Sequence, residues 1–367
     1  MVFAIHGTVT GSFAARVPWI AAHVGVDVGH LSIALLMPGL GALAAMPFSG
    51  RLAHRFRFKP LVATTIAASC GALVLVAVPT SLTLLCVVLL ACGALAGVSD
   101  MVMNAHASLV ERELARSVMS SFHGFWSFGV LAGSAVSSLA THGGVDARLQ
   151  FGVTAITLAL ATVAISRLLI EDPTTDETPA PPHFALPTRP IMLLGLIGLC
   201  AVFGENAGLD WSALFIRREL GGTASVAALA VSALAVAMAV TRLVGDTAIR
   251  RLGPAQTVRL SGACAAVGAI VVVTAPDVAI GVAGFALLGV GVAIVVPLVF
   301  AAAGRSGPHP ARSIAGVAGI AYGSGLAAPG AIGGIASVSS LKTSFSLVAA
   351  LLVVMALSAG VLRGEGT

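Results

Sequence analysis

Apolar runs long enough to cross a bilayer recur along this chain from end to end, and that recurrence restricts what it can fold into. The run 82–99, for example, carries no charged residue before Asp100. A helix needs about 20 apolar residues to cross the hydrocarbon. Twelve such stretches can be drawn, roughly 1–22, 31–51, 60–79, 82–105, 120–141, 150–170, 190–213, 223–245, 257–275, 278–303, 312–336 and 341–362. Backbone groups in lipid must satisfy one another, and runs of helix length do so as helices, so the expected fold class is an all-α membrane protein with twelve transmembrane helices. Composition agrees: of 367 residues 57% are apolar and only 10% charged, too few to cover a water-soluble surface.

Lys and Arg orient the spans. With both termini in the cytoplasm, the inner side holds Arg51, Arg55, Arg57, Lys59, Arg112, Arg116, Arg167, Arg189, Arg242, Arg250, Arg251, Arg259, Arg305, Arg312 and Arg363, and the outer side Arg148, Arg217, Arg218 and Lys342. Fifteen against four sets the topology. The formal charge of +5 then reflects membrane orientation and calls for no nucleic-acid partner. The leading MVFAIHGTVTGSFAA lacks the basic start of a signal peptide, and its apolar run continues through Pro18 and Trp19, so it reads as the first spanning helix. The five cysteines, Cys70, Cys86, Cys92, Cys200 and Cys264, lie inside apolar spans without a CxxC pair and read as small buried hydrophobes. No metal-spaced His/Cys cluster and no phosphate loop is present in the sequence, which argues against an enzyme and against a cofactor.

The polar, proline-rich EDPTTDETPAPPHFALPTRP that begins at Glu171 separates the sixth span from the seventh. It reads as a cytoplasmic linker, 171–189, between a six-helix bundle at 1–170 and a second at 190–367. A shift of 196 residues lays GRLAHRFRFKP (50–60) on DTAIRRLGPAQ (246–256), and Gly129 on Gly325. Identity is slight, yet segment order and charge positions repeat.

Two six-helix halves in parallel repeat resemble the major facilitator superfamily of transporters, whose substrate site lies between the halves near the midplane. The loop GRLAHRFRFK resembles that family's Gly-x-Leu-x-Asp-Arg-x-Gly-Arg-Lys signature, with Gly50, Leu52, Arg55 and Lys59 in place, His54 where the acid belongs and Arg57 in place of the second glycine. In the second half Arg250 stands at the acid's position, followed by Arg251 and Gly253. Asp100 and Asn104 in the fourth span resemble the acid-x-x-x-Asn pattern of the fucose permease-like, sugar–proton symporting branch, where that acid is essential. Asp100–Ala105 and Ser120–Gly124 also resemble strings shared by a set of uncharacterised bacterial permeases. The branch carries a second acid on its first span, four residues before a proline, whereas here Ala14 precedes Pro18. The resemblance implies a monomeric transporter of a small-molecule solute in a bacterial inner membrane, with spans one, four, seven and ten lining the path.

The polar residues inside spans carry the chemistry. Asp100, Asn104 and Glu111 fall at i, i+4 and i+11, on one helix face with Ser108 close by. Such a face avoids lipid and looks onto protein or water. Asp100 is the first proton-coupling candidate, because desolvation disfavours its charged form and makes protonation depend on which side is open; the alternatives are a structural hydrogen bond or cytoplasmic exposure. Glu111, beside Arg112 and Arg116, reads as a solvated helix end. Glu205, the deepest acid of the second half, is the second proton candidate, and Asn206 a solute contact or a helix tie. Arg16 is open to three readings: an anionic-solute ligand, an outer gate with Asp210, or a side chain reaching the outer interface. His6 and His123 are possible partners of Asp100, each also readable as a packing histidine. Trp126 and Tyr322, equivalent under the 196-residue shift, have the shape to stack on a sugar ring. Arg242, Asp246 and Arg250 sit one turn apart, and with Arg55 they read as a cytoplasmic gate or else as surface ion pairs.

Three function classes remain after this reading: a proton-coupled importer of a small polar solute, a proton-driven exporter or antiporter of amphiphiles, and a membrane sensor. Span five lacks the Gly-Pro step of drug exporters, and three tryptophans with one tyrosine make a poor aromatic lining for a wide drug pocket. Both observations favour the importer.

Overall fold

The computed structural model describes residues 1–26, 28–170, 188–222, 224–306 and 309–365, and among these every regular element is helical. Most of the linker expected at 171–189 lies outside the described residues. The helices are α1 (Val2–Val24), α2 (Val28–Ala45), α3 (Ser49–Phe56), α4 (Phe58–Leu75), α5 (Leu82–Glu113), α6 (Met119–His142), α7 (Ala147–Ser166), α8 (Arg189–Glu219), α9 (Ala224–Leu252), α10 (Pro254–Thr274), α11 (Val278–Val292), α12 (Val295–Arg305), α13 (Pro310–Val338) and α14 (Leu341–Ser358). Ten helical segments among the described residues are long and apolar enough to cross a bilayer. With α1 and α6, of 23 and 24 residues, they account for the twelve expected spans.

Two of the expected spans are each broken into two helices, and each break has a proline beside it. Span two runs from α2 through a 3-10 turn at Met46–Phe48, with Pro47 near its start, into α3. Span ten passes from α11 to α12 across Ala293 and Ile294, four and three residues before Pro297. Proline has no N–H for the carbonyl four residues back, so one rung of the helix is lost at such a point.

Helix starts follow the sequence closely. Ser81 caps α5 by accepting from Leu84 N at 3.4 Å, and Asp277 caps α11 by accepting from Ile280 N at 3.0 Å. The two caps are 196 positions apart (277 − 81) and open corresponding spans. Asp146 and Ser340 likewise cap α7 and α14. Each cap satisfies an amide that the first turn leaves without a partner, worth about 1 kcal/mol.

The described residues form two compact units, one from Met1–Leu114, Phe122–Ala185 and Pro308–Ala315, the other from Ala115–Ser121, Leu186–Gly307 and Gly316–Thr367. Inside the first, α2 packs on α5 and α4 on α7; inside the second, α9 packs on α11 and α10 on α14. These pairings are the same spans of each half. Glycine makes a further close approach, of α1 to α6, possible. A Cβ at Gly7 or Gly11 of α1 would fall on the carbonyls of Trp126 and Val130 in α6, and one at Gly129 or Gly133 on those of Ala4 and Thr8 in α1. In lipid, where apolar surface gains nothing by association alone, such close approach is what holds helices together. The outer face of α7 shows the opposite character: Val153, Ile156, Leu160 and Val163 are 57–66% exposed. An apolar stripe of that kind is unfavourable against water and matched to acyl chains.

Candidate functional site

In the first unit, α5 and α6 assemble a chain of polar contacts around the fourth-span acid. Fully buried Asn104 donates its amide Nδ2 to the Asp100 backbone carbonyl at 2.8 Å and to Asp100 Oδ1 at 3.0 Å. The i to i+4 spacing puts both groups on one helix face, as expected. A backbone carbonyl only accepts, so the NH2 end of Asn104 must face Asp100 and its Oδ1 must face away. His123 Nε2 lies 3.0 Å from that oxygen and therefore donates, which places a ring proton on Nε2. His123 is buried and its ring lies 5.4 Å from that of Phe3. Asp100 is thus linked to His123 through the amide of Asn104.

His6 belongs to a neighbouring pair. Trp126 Nε1 donates to His6 Nδ1 at 3.2 Å, and an indole can only donate, so His6 is neutral and carries its proton on Nε2. Trp126 is half-buried and tied by its polar end. Tyr322, its equivalent 196 positions on, is half-buried in the second unit, with its ring edge-on to Phe300 at 5.9 Å.

Two expectations about the first unit change. Glu111 is only 6% exposed, so it is a buried acid and not a solvated helix end; the long α5 keeps it inside the bundle. Arg16 is 3% exposed, with Nε donating to Gln150 Oε1 at 3.0 Å and Nη2 to the Val145 carbonyl at 3.1 Å. These bonds tie α1 to the turn before α7. The guanidinium neither reaches an outer interface nor stands open to an anion, because burial forces it to take protein acceptors.

In the second unit, Glu205 on α8 and Arg242 on α9 form an ion pair, with Arg242 Nη2 3.1 Å from both Glu205 oxygens. Side-chain exposure is 18% for Glu205 and 7% for Arg242, enough for solvent or solute to reach the acid and not the base. Asn206 lies against α13, its Nδ2 2.6 Å from where a Cβ on Gly325 would stand. The glycine leaves room for the amide.

On the face of α9 read as a gate, Asp246 and Arg250 meet serines. Asp246, 4% exposed, accepts from Ser120 N at 3.0 Å, Ser121 N at 2.7 Å, Ser117 Oγ at 3.3 Å and the Ser121 hydroxyl. Ser120 Oγ also donates to the Arg242 carbonyl at 2.7 Å, and exposed Arg250 donates from Nη1 to the Ser117 carbonyl at 3.1 Å. One carboxylate therefore caps the start of α6, where unpaired amides and the helix dipole favour negative charge. Arg55, expected in the same gate, is exposed in the first unit with its guanidinium 5.4 Å from the Phe56 ring centre. The serines and Gln150 were missed by the sequence reading; the Ser120-Ser121 pair at a helix start was the available signal, and Gln150 offered none.

Chemically, the first unit offers a carboxylate with a hydrogen-bonded amide and imidazole behind it, and the second a carboxylate held by a guanidinium. Either acid can bind a proton or a hydroxyl-bearing solute. The Major Facilitator Superfamily profile matches residues 1–329. An uncharacterized transporter of Sinorhizobium fredii, y4wD, is 34% identical over 365 residues, covering 98% of this chain and 96% of that one. An uncharacterized MFS-type transporter of Yersinia pestis is 32% identical over 366 residues, covering 98% and 93%. Among solved structures, the fucose:proton symporter FucP of E. coli is similar with a TM-score of 0.76 at 15% identity, over 100% of this chain and 97% of that one. Helix order, the repeated half and these matches agree: the chain belongs to the Major Facilitator Superfamily and is a multi-pass membrane transporter, not an enzyme.

Proposed function

We propose that this chain is a proton-coupled symporter that imports a small polar solute, with a sugar as the first class to try, across a bacterial inner membrane with both termini in the cytoplasm. In this reading 1–170 and 190–367 are the two moving bundles and 171–189 joins them. The observation that carries it is the chain Asp100–Asn104–His123, a half-buried acid inside a span whose buried hydrogen-bond partner is itself fixed. Acids at such depth are costly and persist where they bind a proton or an ion. Asp100 is the coupling acid and Glu205 the second candidate; Asn104, Asn206, Trp126, Tyr322, His123 and His6 are the candidate solute contacts. Arg16, expected among them, is engaged by Gln150 and by the Val145 carbonyl. Arg55, Arg242, Asp246 and Arg250 are the candidate gate. The fold likeness to a fucose:proton symporter supports neutral monosaccharides as first probes.

Alternating access couples fluxes only if the acid is exposed to each side in turn. Asp100→Asn mimics the protonated carboxyl. In proteoliposomes with an imposed pH gradient and labelled L-fucose and other neutral monosaccharides, the native chain should accumulate one of them with proton entry. Asp100→Asn should abolish accumulation while sparing solute exchange, since exchange never requires the proton to leave. Accumulation by Asp100→Asn moves the coupling to Glu205; proton exit driven by added amphiphiles and not by sugars identifies an exporter.

A further inference from the structure

The role of Arg242 extends past the ion pair. Its Nε donates to the carbonyl of Ala293 at 3.1 Å, while Nη2 holds both oxygens of Glu205. Ala293 is four residues before Pro297, and it sits at the break between α11 and α12. In an uninterrupted helix its carbonyl would accept from the amide of residue 297. Proline has no such N–H, so the carbonyl needs another donor inside a segment where Ala293, Ile294, Val295 and Val296 are all buried. The guanidinium is that donor. Its fork geometry lets one side chain serve a carbonyl on one edge and a carboxylate on another, which an ammonium on a flexible stem does not do.

We infer that Arg242 is a positioning residue for Glu205: the carbonyl left over by Pro297 seats the guanidinium, and the seated guanidinium holds the Glu205 carboxylate in place. The break of span ten and the placement of Glu205 then share one side chain. The other ionisable side chain of α9 near this point, Asp246, is engaged by Ser117, Ser120 and Ser121. Residues 292–296 of α11 and α12 contribute only aliphatic side chains, and α13 contributes Tyr322, set against Phe300. The inference builds on Glu205 as a functional acid, but its test measures no flux and so stands or falls apart from proton coupling.

The test is a double-mutant cycle on the full chain in lipid nanodiscs, read by thermal midpoint and by the infrared carboxyl bands of each background minus its Glu205→Gln partner. Arg242→Met should lower the midpoint by several degrees with Pro297 present. In the Pro297→Ala chain, where residue 297 regains its N–H, the same change should cost clearly less. Equal losses in the two backgrounds would show that the Ala293 carbonyl does not seat the guanidinium and would overturn the inference. The Glu205 band should shift and broaden in Arg242→Met, with or without Pro297→Ala, because the carboxyl group loses the partner that fixes it. A Glu205 band unchanged in the Arg242→Met, Pro297→Ala chain would reduce Arg242 to a structural tie. Should Arg242→Met not fold, Arg242→Lys answers the same question: the midpoint loss is relieved by Pro297→Ala, and no relief overturns the inference.

Discussion

Arg57 and Gly253, 196 positions apart (253 − 57), hold nearly the same backbone conformation: φ 60°, ψ 154° for the arginine and φ 78°, ψ 162° for the glycine. Both follow the C-terminal end of the second span of their half, and both lead into the next helix. The turn is a property of the repeat. In the second half a residue without a Cβ makes it, whereas in the first half an arginine is forced into a region that side chains avoid.

Arg57→Gly should therefore stabilise the chain. A non-glycine residue in that region costs about 1–3 kcal/mol, and glycine's added freedom in the unfolded chain returns up to about 1 kcal/mol of that. A net gain of about 1 kcal/mol is expected, read as a higher thermal midpoint, with no gain for Arg57→Ala. A fall for Arg57→Gly would mean that contacts of the arginine side chain outweigh the strain.

Asp246→Asn should free the start of α6. The amide keeps the shape but loses the charge, and its NH2 end faces donors where an oxygen stood. Hydrogen bonds to a charged acceptor contribute about 1.5–3 kcal/mol. Hydrogen exchange at Ser120 and Ser121 should quicken by at least about tenfold, the equivalent of 1.4 kcal/mol. Unchanged protection would show that the rest of the segment holds it without Asp246.

Arg16→Met should destabilise without changing what is carried. The substitution leaves buried Gln150 Oε1 and the Val145 carbonyl without their donor. A loss of about 1–3 kcal/mol per buried acceptor is the scale. A lowered thermal midpoint with the solute preference retained is the expected result; a changed preference at normal stability would return Arg16 to the solute path.

His309, at the start of α13 and outside the spans, gives stability a pH dependence. Burial first, then the neighbouring charges of Arg312 and His54, lower its pKa from the usual 6.5. In the folded chain it stays neutral while the unfolded chain takes up a proton as pH falls through 6.5, so stability drops below that pH until the lowered value is reached. His309→Gln should flatten the midpoint between about pH 7.5 and 5.5 relative to the native chain. A slope of equal size in both chains would assign the effect to other groups.

Much of the fold was legible because lipid imposes simple rules. Spans could be counted from apolar length, and the repeat from a constant shift that Ser81 and Asp277, or Arg57 and Gly253, obey in the structure. The pairing of Asp100 with Asn104 was readable too, because four residues make one helical turn and both groups lie on the same helix.

Partners on different helices were not readable. Arg242 reads along α9 as the neighbour of Asp246, yet its fork reaches Glu205, 37 positions earlier, and Ala293, 51 positions later. Asp246 meets serines more than 120 positions before it. Sequence by itself determined the medium, the helices and their twofold plan, since each rests on local composition or on periodicity. Which buried charge answers which depends on helices that glycines allow to approach closely and that break beside prolines, and only the tertiary structure decides that, because a buried polar group takes whichever partner packing leaves beside it.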